Sequence, residues 1–362
     1  MLDQQLKSKI NQLWDRFWSG GISNPLQAIE QMSYLLFMKR LEDEDVLRQE
    51  NAKLTGEDHK STFEGTLEAG GLKIDKKTCR WSEWTEYSAE RILDHVRERV
   101  FPFLKSLGEK DSMYASYMKD AVFSIPTPSL LIEAVRIINE MHIKEQNRDT
   151  QGDIYEYLLN ELTTAGKNGQ FRTPRHIIKM MVALANPEFG DKICDPACGT
   201  AGFLVNAYEH ILKGNTSREL VKKDEHGNEY NFKGDKLNPI QWKSLRENTL
   251  YGFDIDSTMV RISLMNLMMH GITRPNIVQV NSLSSRFNEE NYYDVALANP
   301  PFTGSIDESE INENLRVTSK KTELLFLSLI YRLLNDHGRC AVIVPEGVLF
   351  GNSNAQIGRA HV

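Results

Sequence analysis

Two segments about a hundred residues apart hold the side chains of this 362-residue chain that are best suited to chemistry. In the later one an apolar strand, Val295-Ala296-Leu297-Ala298, runs directly into Asn299-Pro300-Pro301-Phe302. Consecutive prolines fix φ and remove N–H donors, so this turn is stiff and its carbonyls stay free. It offers two acceptors on a rigid turn, the Asn299 side-chain carbonyl and the Pro300 backbone carbonyl. Such a pair is suited to accepting hydrogen bonds from both N–H groups of an exocyclic amine such as adenine N6. That nitrogen is a poor nucleophile because its lone pair is delocalised into the ring. Acceptors localise the lone pair and stabilise the positive charge that develops as an electrophilic methyl group arrives. Phe302 would stack on the base, which requires the base to leave the duplex. The plain alternative is an ordinary strand-to-loop turn, since Asn-Pro and Pro-Pro are common punctuation.

The earlier segment supplies the other reactant. Asp191-Lys192-Ile193-Cys194-Asp195 reads as a short strand and Gly202 to Ile211 as the helix after it, joined by Pro196-Ala197-Cys198-Gly199-Thr200-Ala201. This Gly/Ala-rich loop lets backbone approach a ligand closely, and Asp195 at the strand end could pair with a ligand's amino group. The loop is neither the G-x-G-x-x-G fingerprint nor a Walker A motif. A sulfonium ligand derived from methionine has no phosphate to cradle, which fits S-adenosylmethionine. A second strand, Thr249 to Phe253, ends in Asp254-Ile255-Asp256, where an acid can accept hydrogen bonds from ribose hydroxyls. A third, Ile277 to Val280, ends in Asn281-Ser282, expected to contact an adenine ring. A polar insertion from Lys213 to about Leu245 separates the first two strands. Thr173-Pro174 reads as a helix start, with Thr as N-cap and Pro at the first position of a helix to Ala185.

At Gln170-Phe171-Arg172-Thr173-Pro174-Arg175, Asp195-Pro196-Ala197-Cys198-Gly199-Thr200-Ala201-Gly202-Phe203, Gly252 to Asp256, Asn299 to Phe302 and Val344 to Phe350, the chain resembles the modification (methyltransferase) subunits of type I restriction–modification systems. The resemblance runs from near residue 1 to about Gly351. It implies N6-adenine methylation of double-stranded DNA with S-adenosylmethionine as cofactor. It also implies a separate specificity subunit that reads the target site, two modification subunits to each, and a restriction subunit able to join. Carried over by position, Gln170 to Arg175, Thr200 to Gly202 and Asp254 would bind the cofactor, the first as a flap over its methionine end. Asn299 to Phe302 would form the catalytic pocket. Family members continue beyond the Val344-Pro345-Glu346-Gly347 segment, so the end at Val362 implies an incomplete methyltransferase domain.

The elements that must position these residues divide the chain. From about residue 150 strands and helices alternate, the pattern of a Rossmann-like parallel sheet with helices on both faces. Residues 1–145 read as an all-α domain, giving domains at 1–145 and 146–362. In it, Asn24-Pro25 caps a helix whose Leu26, Ile29, Met32, Leu35, Leu36 and Leu41 share a face. Trp14, Phe17 and Trp18 are expected in the core. A second helix carries Ile92, Val96 and Val100 and ends before Pro102; a third runs from Ser129 to Met141. Asn51 to Lys77 and Gly304 to Lys321 read as long loops. A helix from Thr322 to Leu334 leads into a strand from Arg339 to Val344.

The net charge of −7 argues against strong DNA binding by this chain alone and favours dependence on a partner. There is no signal peptide or membrane span, and the four cysteines suit neither a disulfide framework nor a metal site, so a cytoplasmic location is expected. Two other functions compete: methylation of a different amide or amino group, such as a glutamine side chain of a translation factor, and a partner-binding module without turnover. The first favours Tyr at position 302 and lacks a long helical N-terminal region.

Overall fold

The computed structural model describes residues 4–55, 58, 60–107, 113–143, 153–159, 173–224, 227–272, 274–302, 308–315, 317 and 321–350. Two compact units divide at 171/172.

The N-terminal unit is built on helices α1 (Gln4–Ser19), α2 (Pro25–Thr55) and α3 (Pro128–Glu140). Leu6, Ile10, Leu13 and Phe17 form the buried stripe of α1. Trp18 departs from expectation: it is 49% exposed and stacks on Trp14 at 6.4 Å, because only position 17 of the three lies in register with that stripe. Asn24 Oδ1 accepts from Leu26 N at 3.0 Å and starts α2, and Thr127 caps α3. The unit is not all-α. Within the expected loop, Thr66–Ala69 (β1) and Leu72–Asp75 (β2) pair as a hairpin across Gly70-Gly71, both at positive φ, as a two-residue hairpin turn needs. The buried carboxylate of Asp45 holds the preceding chain, accepting from Ser61 Oγ, Thr62 N and Arg80 Nη2 at 2.7–2.9 Å. The helix through Ile92 also continues past Pro102. A wide turn at Val96–Val100, in which Phe101 N donates to Val96 O, removes the need for the N–H that proline lacks. The helix over 153–159 belongs to this unit, with Tyr155 Oη donating to Ser33 Oγ at 2.7 Å.

The C-terminal unit is an α/β layer structure. Its elements are α4 (Arg175–Ala185), β3 (Ile193–Asp195), α5 (Gly202–Gly214), α6 (Pro239–Glu247), β4 (Leu250–Asp254), α7 (Ser257–Met269), β5 (Asn276–Gln279), β6 (Tyr293–Ala298), α8 (Thr322–Leu333), β7 (Leu334–Val342) and α9 (Glu346–Phe350). The five strands form one parallel sheet in the order β5-β4-β3-β6-β7. Val295 to Ala298 are wholly buried, as expected for a parallel strand covered on both faces. β7 starts directly after α8, and Asp336-His337-Gly338 is an irregularity inside its ladder with β6 rather than a turn before it; His337 takes up a φ of 70° there. In the polar insertion a two-residue ribbon, Lys222–Lys223 with Glu229–Tyr230, precedes α6, which opens on a reciprocal capping box between Asn238 and Gln241.

The strand order places the functional segments. The chain passes from β3 outward through β4 to β5, then returns to the other side of β3 for β6. In an open parallel sheet the crevice for a ligand lies beyond the carboxyl ends of the strands at such a reversal. Asp195 and Asp254 end β3 and β4, and Asn299 follows β6.

Gly252 fits this packing closely. A Cβ there would lie 2.6 Å from Ile277 Cδ1 and 3.0 Å from Cys198 Sγ, so the bare backbone of β4 lets the loop after β3 settle on it. Gly252→Ala is expected to destabilise the protein by about 1–3 kcal/mol, the usual effect of overpacking a full core, read as a lower denaturation midpoint at unchanged slope.

Candidate active site at the carboxyl edge of the sheet

Asp195 is 1% exposed, and its Oδ1 accepts from Ala197 N at 3.0 Å, which bends the chain away from β3. The loop then crosses to β4, where Cys198 N donates to Phe253 O at 2.9 Å and Gly199 N to Asp254 Oδ2 at 3.0 Å. Gly199 has a φ of +52°, and a Cβ placed on it would project into open space. Ala201 stands in the left-handed region at φ 62° and caps α5 before Gly202. Buried side chains hold the loop carbonyls from outside. Asn266 Nδ2 donates to Thr200 O at 2.7 Å, Ser263 Oγ donates to Gly199 O, and Ser282 Oγ donates to Pro196 O at 2.7 Å.

Several expectations change. Ser282 is buried and its hydroxyl proton is committed to Pro196, so it positions the loop instead of offering that proton to a ligand. Asn281 accepts from Leu283 N at 3.1 Å through Oδ1, which tightens the turn after β5. Asp254 accepts from Gly199 N through Oδ2 and from Asp256 N through Oδ1 at 2.9 Å, which ties the end of β4 to the loop after β3. Ser263 and Asn266 went unnoticed in the sequence. Their signal is two polar residues three apart in the otherwise apolar run Ile262 to Met269, which places both on one face of α7.

On the β6 side, Asn299 Nδ2 donates to Thr173 Oγ1 at 2.9 Å. Asn299 Oδ1 is buried and has no hydrogen-bond partner. Among the described residues nothing donates to the Pro300 carbonyl either. Pro300 is buried, Pro301 is exposed, and Phe302 is 38% exposed. The cap of α4 is Pro174 with no side-chain hydrogen bond: Thr173, expected to cap it, instead turns its hydroxyl to Asn299. Arg175 Nη2 lies 3.9 Å from Glu209 on α5. Gln170, Phe171 and Arg172 lie outside the described residues. So do residues 304–307, 316 and 318–320 of the expected loop, but 308–315 is fastened down, with Ser284 bridged to Ile311 and Asn312 N donating to Leu283 O at 2.9 Å.

Burial pushes the Asp195 carboxyl up to about 8; the Ala197 N–H opposes this and the nearby Asp254 carboxylate adds to it. Burial likewise raises Asp254, against hydrogen bonds from Asp256, Gly199 and Ile255. Two acids sharing a desolvated crevice favour a cationic ligand.

Residues 146–362 match the family model described as N-6 DNA Methylase. The chain belongs to this family. Residues 6–138 match the HsdM N-terminal domain. The chain is similar to the type I restriction enzyme EcoEI methylase subunit of Escherichia coli, 30% identical over 346 residues, covering 91% of this chain and 63% of that protein. It is also similar to the type I restriction enzyme MjaIX methylase subunit of Methanocaldococcus jannaschii, 27% identical over 354 residues, covering 90% and 57%. Among solved structures, a modification subunit of a candidate type I restriction enzyme from Vibrio vulnificus YJ016 superposes with a TM-score of 0.73 at 26% identity, covering 98% of this chain and 73% of that one. The chain thus spans about three fifths of the length of these curated relatives. Among the described residues no helix is long and apolar enough to cross a membrane.

The buried acid of this chain has a measurable signature. With a folded pKa near 8 against an ordinary 3.8, Asp195 keeps in the folded protein a proton that the unfolded chain has released. The stability this contributes is complete below the unfolded value and is lost as pH rises through the folded one. Asp195→Asn keeps an oxygen for the Ala197 N–H but does not titrate. From about pH 5 to about pH 9 the melting temperature of the wild type should fall relative to that of the variant; parallel curves would show that Asp195 is ionised throughout.

Proposed function

We propose that the chain transfers a methyl group from S-adenosylmethionine to N6 of adenine in double-stranded DNA, as the modification subunit of a type I restriction–modification assembly. The observation that carries this reading is that, among the described residues, nothing donates to the buried Oδ1 of Asn299 at the end of β6 or to the adjacent Pro300 carbonyl. An unsatisfied buried acceptor costs about 1–3 kcal/mol, a cost a folded chain bears where a ligand will supply the donor. Two neutral acceptors on a proline-stiffened turn match the two hydrogens of an amine.

The cradle between β3 and β4 fits the cofactor. Asp195 and Asp254 suit its positive charge, the open side of Gly199 admits it, and the held loop carbonyls leave the cradle's shape fixed before binding. The bound cofactor supplies an electrophilic methyl group on a sulfonium centre. Asp195 is assigned the ligand's amino group, Asp254 the ribose hydroxyls, and Pro196, Gly199, Thr200, Ala201 and Gly202 the lining. Thr173, Pro174 and Arg175 border the methionine end, with Gln170, Phe171 and Arg172 assigned by motif alone. Asn299 and Pro300 accept the amine's hydrogens, draw its lone pair out of the ring and stabilise the charge it gains. Pro301 holds the turn, and Phe302, exposed enough to offer its ring, stacks on a base flipped from the duplex.

Relatives named as methylase subunits of type I restriction enzymes support a place in such an assembly. The proposed complement is one specificity subunit that reads the site, two copies of this chain, and a restriction subunit that can join. The net charge of −7 is consistent with a partner providing much of the DNA affinity. A DNA substrate and a bacterial or archaeal relationship make the cytoplasm its compartment.

The test supplies labelled cofactor to the chain with its specificity subunit and with DNA, a protein factor or neither. Label in DNA at adenine N6 is expected; label in the protein factor, or none, would refute the reading. Asn299→Ala should lower transfer by more than about 100-fold, as loss of a preorganised charge-stabilising group does, while cofactor affinity changes little. Equal loss of both would remove Asn299 from the catalytic role. Asp254→Ala should weaken cofactor binding, and unchanged affinity would take Asp254 out of the cradle.

A further inference from the structure

We propose that Thr173 is a positioning residue for the target amine, acting through Asn299. This rests on the methyltransferase reading above. The Thr173 hydroxyl is 2.9 Å from Asn299 Nδ2, and Thr173 is only 8% exposed. It is also the one hydrogen-bond partner of the Asn299 side chain among the described residues, since Oδ1 has none.

An asparagine amide rotates broadly about its last torsion, so a lone Asn at a strand end does not by itself present its carbonyl in a fixed plane. A single anchored hydrogen bond to the amide nitrogen supplies that plane. A hydroxyl can serve either end of an amide, so Thr173 does not alone choose which end faces the pocket. The incoming amine makes that choice, because its hydrogens are satisfied by the carbonyl end and repelled by the NH2 end. Thr173 acts as the pivot, and the substrate sets the sense. A correctly turned Oδ1 then needs no reorganisation when charge develops on the amine.

The position of Thr173 in the chain gives the contact a second consequence. It follows the segment 170–172 and immediately precedes α4, so the strand-end turn after β6 and the start of α4 share one hydrogen bond. Movement of the α4 start is thereby transmitted to the acceptor for the amine.

The test compares Thr173→Val, which keeps the shape and removes the hydroxyl, with Thr173→Ser, which keeps the hydroxyl, in the complete complex with its specificity subunit. Single-turnover methylation of duplex DNA, cofactor dissociation constants and melting temperature are measured for each. At saturating cofactor, Thr173→Val should slow single-turnover methyl transfer roughly 10-fold or more, and Thr173→Ser should restore most of the rate. A rise in the cofactor dissociation constant at unchanged single-turnover rate would assign Thr173 to the cofactor and overturn the proposal. So would an unchanged rate in the Val variant, or equal losses of rate, affinity and melting temperature in both variants. A wild-type complex that methylates no adenine would refute the methyltransferase reading and this assignment together, an outcome distinct from failure in the variants alone.

Discussion

The reversal of strand order at β3 is the constraint on which the site depends. Parallel strands all deliver their carboxyl ends to one edge, and crossovers pack helices over both faces. At most positions along that edge the connecting loops close over one another. Between β3 and β6 they run in opposite directions, toward β4 on one side and β7 on the other, and leave a crevice. The residues flanking the crevice come from loops that share no sequence neighbourhood yet are set by strands one register apart. Cys194 pairs with Ala296, so Asp195 and the residues leading to Asn299 extend side by side.

The two walls of this crevice are built on opposite principles. On the β3 side nearly every polar group is used. The Pro196, Gly199 and Thr200 carbonyls are held by Ser282, Ser263 and Asn266, and the Gly199 N–H by Asp254. A loop so tied cannot collapse when empty, and its left-handed residues at 199 and 201 are over-determined by the bonds around them. On the β6 side the turn is stiffened by prolines, and among the described residues nothing donates to its two acceptors. In the proposed reaction one wall would hold the cofactor in place, and the other would be left open to the group that reacts.

The outline of this arrangement was legible in the sequence because strands buried on both faces read as continuous apolar runs. Val295 to Ala298 and Leu250 to Phe253 announce themselves, and so do the acid and asparagine that end them. What stayed hidden were residues whose partners are distant in sequence. Thr173 before Pro174 has the local signature of a helix cap, but its partner lies 126 residues on, and tertiary geometry overrode the local preference. Ser282 looked free to meet a ligand because nothing local shows that its hydroxyl reaches Pro196, 86 residues away. The hairpin at Gly70-Gly71 is a different kind of miss. Its turn signal was present, between short segments whose apolar residues alternate, but the surrounding charge made the stretch resemble a loop. Trp18 shows the converse limit, since residue type favours burial and only the helical register of α1 shows that it cannot reach the core.

The unequal walls also bear on rate. In the proposed reaction the bound cation would favour the ionised forms of Asp195 and Asp254 before any chemistry, so their attraction would lower the energy of the bound state as well as that of the transition state. Such uniform binding strengthens association without accelerating the chemical step. In the same proposed reaction Asn299 Oδ1 and the Pro300 carbonyl would meet an amine that starts neutral and gains charge only as its bond to the methyl group forms. Their interaction therefore strengthens along the reaction coordinate, which is the condition for lowering a barrier. Neutral acceptors suit this role better than carboxylates would. A second pair of buried acids would raise one another's pKa values, as Asp254 already helps raise that of Asp195, and a protonated acid would present a donor to an amine that needs acceptors. An amide cannot titrate, so an asparagine at position 299 keeps its acceptor at every pH at which the fold survives.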